Sequence, residues 1–326
     1  MSALGCCPSD AGCAKVSKQT RRGISEPMKQ VIITNDQGNP LFCLEGSGHR
    51  QCLVLSALQQ FLATNFFGAS LRYMRAGHVH LLLLFRDNLW YAMASDEEES
   101  RQLLHQQLST IADIFVMKFG QQMLQNLFLH KQLSLTAYQP ALGQLFSTYF
   151  RLFKQQQSFL VQAIESLHVN GALQHRCESA LRDANTACAV TGVHCLLFVG
   201  VKLVARYAPT GAVAIADDEL LKLLVFMEAL CGNDETLNEQ SQEAGDHNES
   251  NSHEMIGSET LSDDDSFLGS NNSTSSQQLI GDSIYLRYDS KPHSVCFARI
   301  AHRITLMCVC AGVVCSFINT TIMCLF

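Results

Sequence analysis

Two apolar periodicities alternate along residues 28–120, and their order restricts the fold more than any other feature of the chain. Val31, Ile32 and Ile33 lead into Asn35-Asp36-Gln37-Gly38-Asn39-Pro40 and then Leu41 to Leu44. The middle residues tolerate a positive φ, so this stretch predicts a β-hairpin. From His49 to Phe67 the spacing turns helical, with Leu55, Leu58, Leu62 and Phe66 on one face that would cover a sheet. Ala69 to Met74, Val79 to Phe85 and Leu89 to Ala94 then read as three strands, with Arg86-Asp87-Asn88 turning between the last two. Four consecutive leucines at 81 to 84 make one of these strands apolar on both sides, which requires cover on both faces. Asp96 to Glu99 is expected to open a helix, where negative charge complements the macrodipole, and to lie on its solvated face. Leu104, Leu108, Ile111, Phe115 and Phe119 continue that helix, and Gly120 can stop it. The expected fold is therefore α/β of the α+β kind: a five-stranded antiparallel sheet flanked by helices.

One helix carries more apolar surface than a single sheet contact needs. Val54, Ala57 and Phe61 widen the arc of the 49–67 helix well beyond roughly 100°. This stripe is either additional core or a second face for a partner, and the three residues are the candidate interface.

Further helical patterns follow at 121–131, 141–156, 158–168 and 172–189. At Val193 the opening returns as a series of elements rather than of residues. His194 to Val199 and Val201 to Tyr207 read as strands, Pro209 and Gly211 break the chain, and Asp217 to Leu230 reads as a helix. Domain limits follow: a disordered segment 1–27, a first domain 28–131, a helical extension 132–190, and the start of a second domain at 191–231. Next come an acidic Ser/Asn-rich insertion at 232–283 and an incomplete continuation of the second domain at 284–326.

The insertion dominates the charge. Its 52 residues hold twelve Asp and Glu and no Lys or Arg, so the remaining chain carries 18 acids against 23 bases. Such a segment cannot bury enough apolar surface to order itself. Ser262 ahead of Asp263-Asp264-Asp265 would suit an acid-directed kinase, although a plain solvated insertion explains the run better. A small positive excess without a dense Lys/Arg cluster argues against nucleic-acid binding.

Ile304 to Phe326 is 23 residues without charge, preceded by Arg299, His302 and Arg303. Its length suits a tail anchor. Pro292 to Cys310 also resembles the strands that should follow the insertion, and Thr305, Ser316, Asn319, Thr320 and Thr321 count against an anchor.

Fourteen cysteines without a leader-like start predict a reducing compartment. Cys43, Cys52, Cys177, Cys188 and Cys195 lie in apolar periodic stretches and read as small core hydrophobes, as do Cys308, Cys310, Cys315 and Cys324. Cys6, Cys7 and Cys13 have no ligand set around them. No GxxxxGK[ST], GxGxxG or GxSxG occurs, and His78 with His80 lacks a third metal ligand. The residues thus predict no catalytic, metal or cofactor site.

Three segments carry a family likeness: HVHLLLLFRDNLWYAMASDEEESRQLLHQQL at 78–108, QHRCESALRDANTACAV at 174–190 and VHCLLFVGVKLVARY at 193–207. Through them the chain resembles the Hermansky-Pudlak family of tri-longin-domain proteins, over residues 28–231 and more faintly from Ser283 to Cys310. A sister family of lysosomal exchange factors is the alternative. The resemblance implies a longin-type domain, extra helices and a partial second longin domain. It also implies a non-catalytic subunit of a heterodimeric guanine nucleotide exchange factor for a Rab-family small GTPase, working with a second tri-longin-domain subunit. Such a subunit would act in vesicle-mediated transport and biogenesis of lysosome-related organelles. It would be cytoplasmic and peripheral on endosomal, lysosomal or lysosome-related organelle membranes. The competing expectation is a tail-anchored longin adaptor without exchange activity.

Overall fold

A computed structural model describes residues 29–44, 48–66, 68, 70–122, 124–125, 135–187, 193–212, 214–232, 279–286 and 292–311. The segment 1–27, most of the acidic insertion with Ser262, and Cys188, Cys315 and Cys324 lie outside them.

The first sheet contains β1 (Lys29–Asn35), β2 (Pro40–Leu44), β3 (Tyr73–Ala76), β4 (Val79–Arg86) and β5 (Leu89–Ser95), in the order β2-β1-β5-β4-β3. Every pairing is antiparallel, as expected. Asn35 closes the first hairpin by accepting from the amides of Gln37 and Asn39, while Gly38 takes φ 80°. β3 is shorter and later than the expected 69–74, because its pairing with β4 begins only at Tyr73 opposite Leu82.

The helix α1 (Gly48–Asn65) lies on one face of this sheet and α2 (Arg101–Phe119) on the other. Alternation sorts the strands between them. Ile32, Leu83 and Ala92 pack with Cys52 of α1, whereas Val31, Ile33, Leu82, Tyr91 and Met93 join Leu108, Ile111 and Phe115 of α2. The leucine run of β4 is thus split between two cores, with Leu82 and Leu83 on opposite sides.

The acidic run departs from its expected place. Ser100 caps α2 by accepting from the Leu103 amide, so Asp96 to Glu99 precede the helix. Glu97 and Glu99 instead hold the buried ammonium of Lys29 at 2.9 and 2.7 Å, and Gln107 accepts from it at 2.9 Å. Lys154 adds a second cation on Glu97 at 2.5 Å. It comes from α3 (Gln139–Gln155), which also sets Phe146 edge-on against Phe42 of β2 at 5.0 Å.

The helix expected over 158–168 ends early. α4 (Gln157–Val161) stops where Gln162 takes φ 54°, and the chain then runs beside the second sheet. After α5 (Gly171–Ala187) come β6 (His194–Val199), β7 (Lys202–Tyr207) and α6 (Asp217–Cys231). The strands β8 (Leu279–Tyr285), β9 (Pro292–Ala301) and β10 (Ile304–Ala311) complete the second sheet, β7-β6-β10-β9-β8.

This order repeats the first sheet strand for strand and corrects two expectations. The second sheet is not incomplete, since all five of its strands are present. The insertion expected to reach 283 gives way to strand at Leu279, because Leu279 to Tyr285 pair in register with Ala298 to Pro292. Of the competing anchor from 304, the first eight residues belong to β10, whose backbone is bonded on both sides to β6 and β9, so that the strand reading fits here. No helix of the described residues is long and apolar enough to cross a membrane.

The sheets share a middle layer. Eleven of the fifteen residues of α6 are buried, so it packs on two sides at once. One side meets Phe198, Phe297 and Met307 of the second sheet; the other faces α2 and α3, in a core that also holds Val31, Ile33 and Tyr91 of the first. Charges cross the same boundary: Asp113 of α2 accepts from Arg86 of β4 at 2.5 Å and pairs with Lys222 of α6 at 3.3 Å. Lys118 of α2 reaches Asp282 of β8 at 2.6 Å. On the far side of the second sheet, Leu181 of α5 packs with Cys195, Cys296 and Cys308.

Gly120 ends α2 at φ 76°, and a Cβ there would lie 2.8 Å from the Tyr285 ring. Gly120→Ala should therefore lower stability by about 1–3 kcal/mol, read as a fall in the urea midpoint with unchanged slope. A second outcome concerns acid. Burial alone would raise the Glu97 carboxyl, but its bonds from Lys154 and Lys29 outweigh burial and hold it below the usual range. A depressed folded value stabilises the protein above about pH 4.3, and that contribution is lost as pH falls through the folded value. Urea titrations from pH 6 downward should show a steeper loss for the native protein than for Glu97→Gln.

Candidate docking surface

Among the described residues, one helix packs on the outer face of the first sheet, burying Ile32, Leu83 and Ala92 but leaving a groove beside it. α1 is held by its buried side. Cys52 is 1% exposed, and burial, with the neighbouring Cys43, pushes its thiol up to about 11, so it fills space as a neutral group. Gln59 clamps the helix to the chain entering β3: its amide nitrogen donates to the Leu71 carbonyl at 2.8 Å and its oxygen accepts from the Leu71 amide at 3.0 Å.

The opposite side of α1 is apolar and faces solvent. Val54 is 65% exposed and Phe61 57%, and Ala57 is exposed between them, so steps of three and four residues set the three candidate interface residues on one stripe. Leu53, 59% exposed, lies beside them. The pattern alone allowed these positions to be core; the structure leaves them uncovered. Phe66 departs from expectation: instead of covering the sheet it lies just past the end of α1, exposed and edge-on to Phe61 at 6.2 Å.

Between α1 and β3 lies a groove of about 430 Å³, lined mainly by Ile32, Val54, Met74, Val79, Leu81 and Ala94. Met74, Arg75 and Ala76 of β3 are exposed, which leaves this edge open for a further strand. The opposite edge is guarded, since Gln139 of α3 donates to the Leu41 carbonyl of β2 at 2.8 Å. In the second sheet, the chain at 165–167 bonds to both sides of Leu203 and closes the β7 edge. Stripe, groove and open edge thus form one continuous surface. Sequence reasoning found the stripe and missed Leu53 of α1, Met74 of β3 and Val79 of β4; a strand as short as the four residues of β3 carries little periodicity.

Chemistry-bearing groups do not converge here. His80 is buried and shares a 2.8 Å hydrogen bond with the Tyr73 hydroxyl, while His78 lies in the β3–β4 turn. Among the described residues, no three His, Cys, Asp or Glu side chains are placed to hold a metal ion.

A five-stranded antiparallel sheet of order β2-β1-β5-β4-β3, with one helix on each face, fits a longin fold. Residues 29–161 match the family model described as the first longin domain of FUZ, MON1 and HPS1. The matched stretch runs past 131 to the end of α4. It takes in helices that the sequence assigned to a separate extension, in keeping with the Phe42–Phe146 and Glu97–Lys154 contacts that bind α3 to the sheet.

The two sides of α1 should respond differently to mutation. Gln59→Ala should cost about 1–2 kcal/mol through its two lost hydrogen bonds. Val54→Ala with Phe61→Ala should cost less than about 1 kcal/mol, because these positions bury little on folding. Thermal and urea unfolding of the two variants tests the difference.

Proposed function

We propose that this protein is a non-catalytic subunit of a heterodimeric Rab guanine nucleotide exchange factor, of the Hermansky-Pudlak type that serves lysosome-related organelles. The exposed apolar stripe on α1 beside an open sheet edge carries this reading. The match of residues 29–161 to a first longin domain supports it, since the stripe lies within that stretch. In this reading β3 receives the second longin subunit, whose backbone would extend the sheet, and the α1 stripe meets the GTPase. Peripheral membrane association would follow from the assembled complex.

Exchange by such a surface requires no acid, base or nucleophile. A face that binds the nucleotide-free GTPase more tightly than the loaded form lowers nucleotide affinity by the same factor, about 1.4 kcal/mol per tenfold. The work is done by differential docking, which suits a surface of Leu53, Val54, Ala57 and Phe61 better than it suits any reaction.

Val54→Asp with Phe61→Asp should reduce stimulated nucleotide release from the cognate Rab at least tenfold while the heterodimer still co-purifies. Release of a fluorescent nucleotide from the Rab, with the intact heterodimer present, measures this. Unchanged release would remove α1 from the mechanism, and failure of the native chain to engage any longin partner or Rab would remove the function.

A further inference from the structure

On the far side of the second sheet, three cysteines stand in one row across three neighbouring strands. Cys195 of β6 faces Cys308 of β10, and Cys308 faces Cys296 of β9. Tyr207 and Gly281 complete the row at its two ends. All three thiols are almost fully buried, at 1%, 2% and 0% exposure, under Leu181 of α5. An apolar core accepts cysteine as a filler. A filler has no need of sulfur facing sulfur, however, and here the Cys308 Sγ lies 3.9 Å from the Cys195 Sγ.

We propose that Cys195 and Cys308 are a redox-responsive pair that closes into a cross-strand disulfide when hydrogen peroxide oxidises the protein. Facing residues of an antiparallel pair have Cα atoms about 4.5–5.5 Å apart, inside the roughly 4.4–6.8 Å that disulfides span. Reaching a sulfur–sulfur bond of about 2.05 Å therefore needs side-chain rotation and little backbone movement. The Cys308 thiol donates to the Cys195 sulfur, which favours the thiolate at Cys195 and makes it the attacking group.

The chemistry balances with the peroxide as sole oxidant. The Cys195 thiolate attacks the O–O bond, one oxygen leaves as hydroxide and takes a proton to become water, and Cys195 becomes a sulfenic acid. The Cys308 sulfur then attacks that sulfur, gives up its proton and expels the second oxygen as water. Two thiols lose two electrons and two protons, and the peroxide becomes two waters. Cys296, on the other side of Cys308, is placed to exchange with the new bond rather than to form it first.

The two residues are 113 positions apart, so the bond would join β6, ahead of the acidic segment, to β10, which follows it. It would staple the β7-β6 hairpin to the β10-β9-β8 meander at their one shared seam.

The test uses the full-length protein, reduced, then exposed to hydrogen peroxide under native conditions, alkylated after unfolding and mapped by peptide mass spectrometry. A Cys195–Cys308 linked peptide should appear, vanish on reduction with dithiothreitol, fall at least tenfold in Cys195→Ser and persist in Cys296→Ser. Full alkylation of both cysteines after peroxide would overturn the proposal, as would a first-formed Cys296–Cys308 link. Mapping of the native sequence decides the matter even where a serine variant folds poorly.

Discussion

A sheet that is apolar on both faces has to be covered twice, and this chain contains two such sheets. Each gives one face to a middle layer built from α2, α3 and α6, where a single hydrophobic core runs from Val31 and Ile33 of the first sheet to Phe297 and Met307 of the second. The central element is α6, because a helix buried on nearly every side has no stable place in water. Its second side exists only while α2 and α3 are folded against the first sheet. The repeat therefore folds as two units pressed together rather than two independent domains, although each sheet follows the same strand order.

Charge sets how the two units meet. Lys222 is buried in α6, bonded to Asp218 within its own helix and to Asp113 across the boundary, and Asp113 in turn holds Arg86 of the first sheet. Such networks recover little more than the cost of burying their ions, but a displaced register would strand a charge without its partner. The same logic applies to Lys29, which ties β1 to Glu97 and Glu99 at the entry to α2, while Lys154 from the end of α3 sets a second ammonium on Glu97. Hydrophobic burial brings the layers together, and these ions restrict them to one alignment.

What was legible in the sequence was local. The Asn35–Pro40 turn, the β4–β5 hairpin at Asp87 and Asn88, and the stop at Gly120 all follow from the conformations those residues accept over a few positions. The stripe of Val54, Ala57 and Phe61 was legible as apolar surplus, though exposure was not. What failed depended on distant partners. The acidic run before α2 looked like a helix start because nothing nearby shows that Lys29 lies against it. β8 was assigned to the insertion because Asp282 and Ser283 read as polar linker until β9 pairs with them and Lys118 reaches across. The helix expected over 158–168 lost to an alternative bonding of Glu165 and Leu167 with Leu203. No local pattern announces the pairing of β6 with β10.

The layering also explains why the candidate surface lies where it does and why one helix cannot suffice. The middle layer serves the inner faces of both sheets, and among the described residues α1 alone shields the outer face of the first. Leu53, Val54 and Phe61 retain between 57% and 65% of their exposure. Burying the remainder would contribute about 1–2 kcal/mol each. Together that is about 3–6 kcal/mol, against an association cost of about 4–15 kcal/mol. The stripe by itself would therefore hold a partner weakly at best. A docking function requires the adjoining groove and the backbone groups of β3 to contribute as well. Pairing a second sheet along that edge would supply directional hydrogen bonds and place another subunit's surface beside α1. The physical arithmetic thus favours a surface completed by a partner over one that works alone.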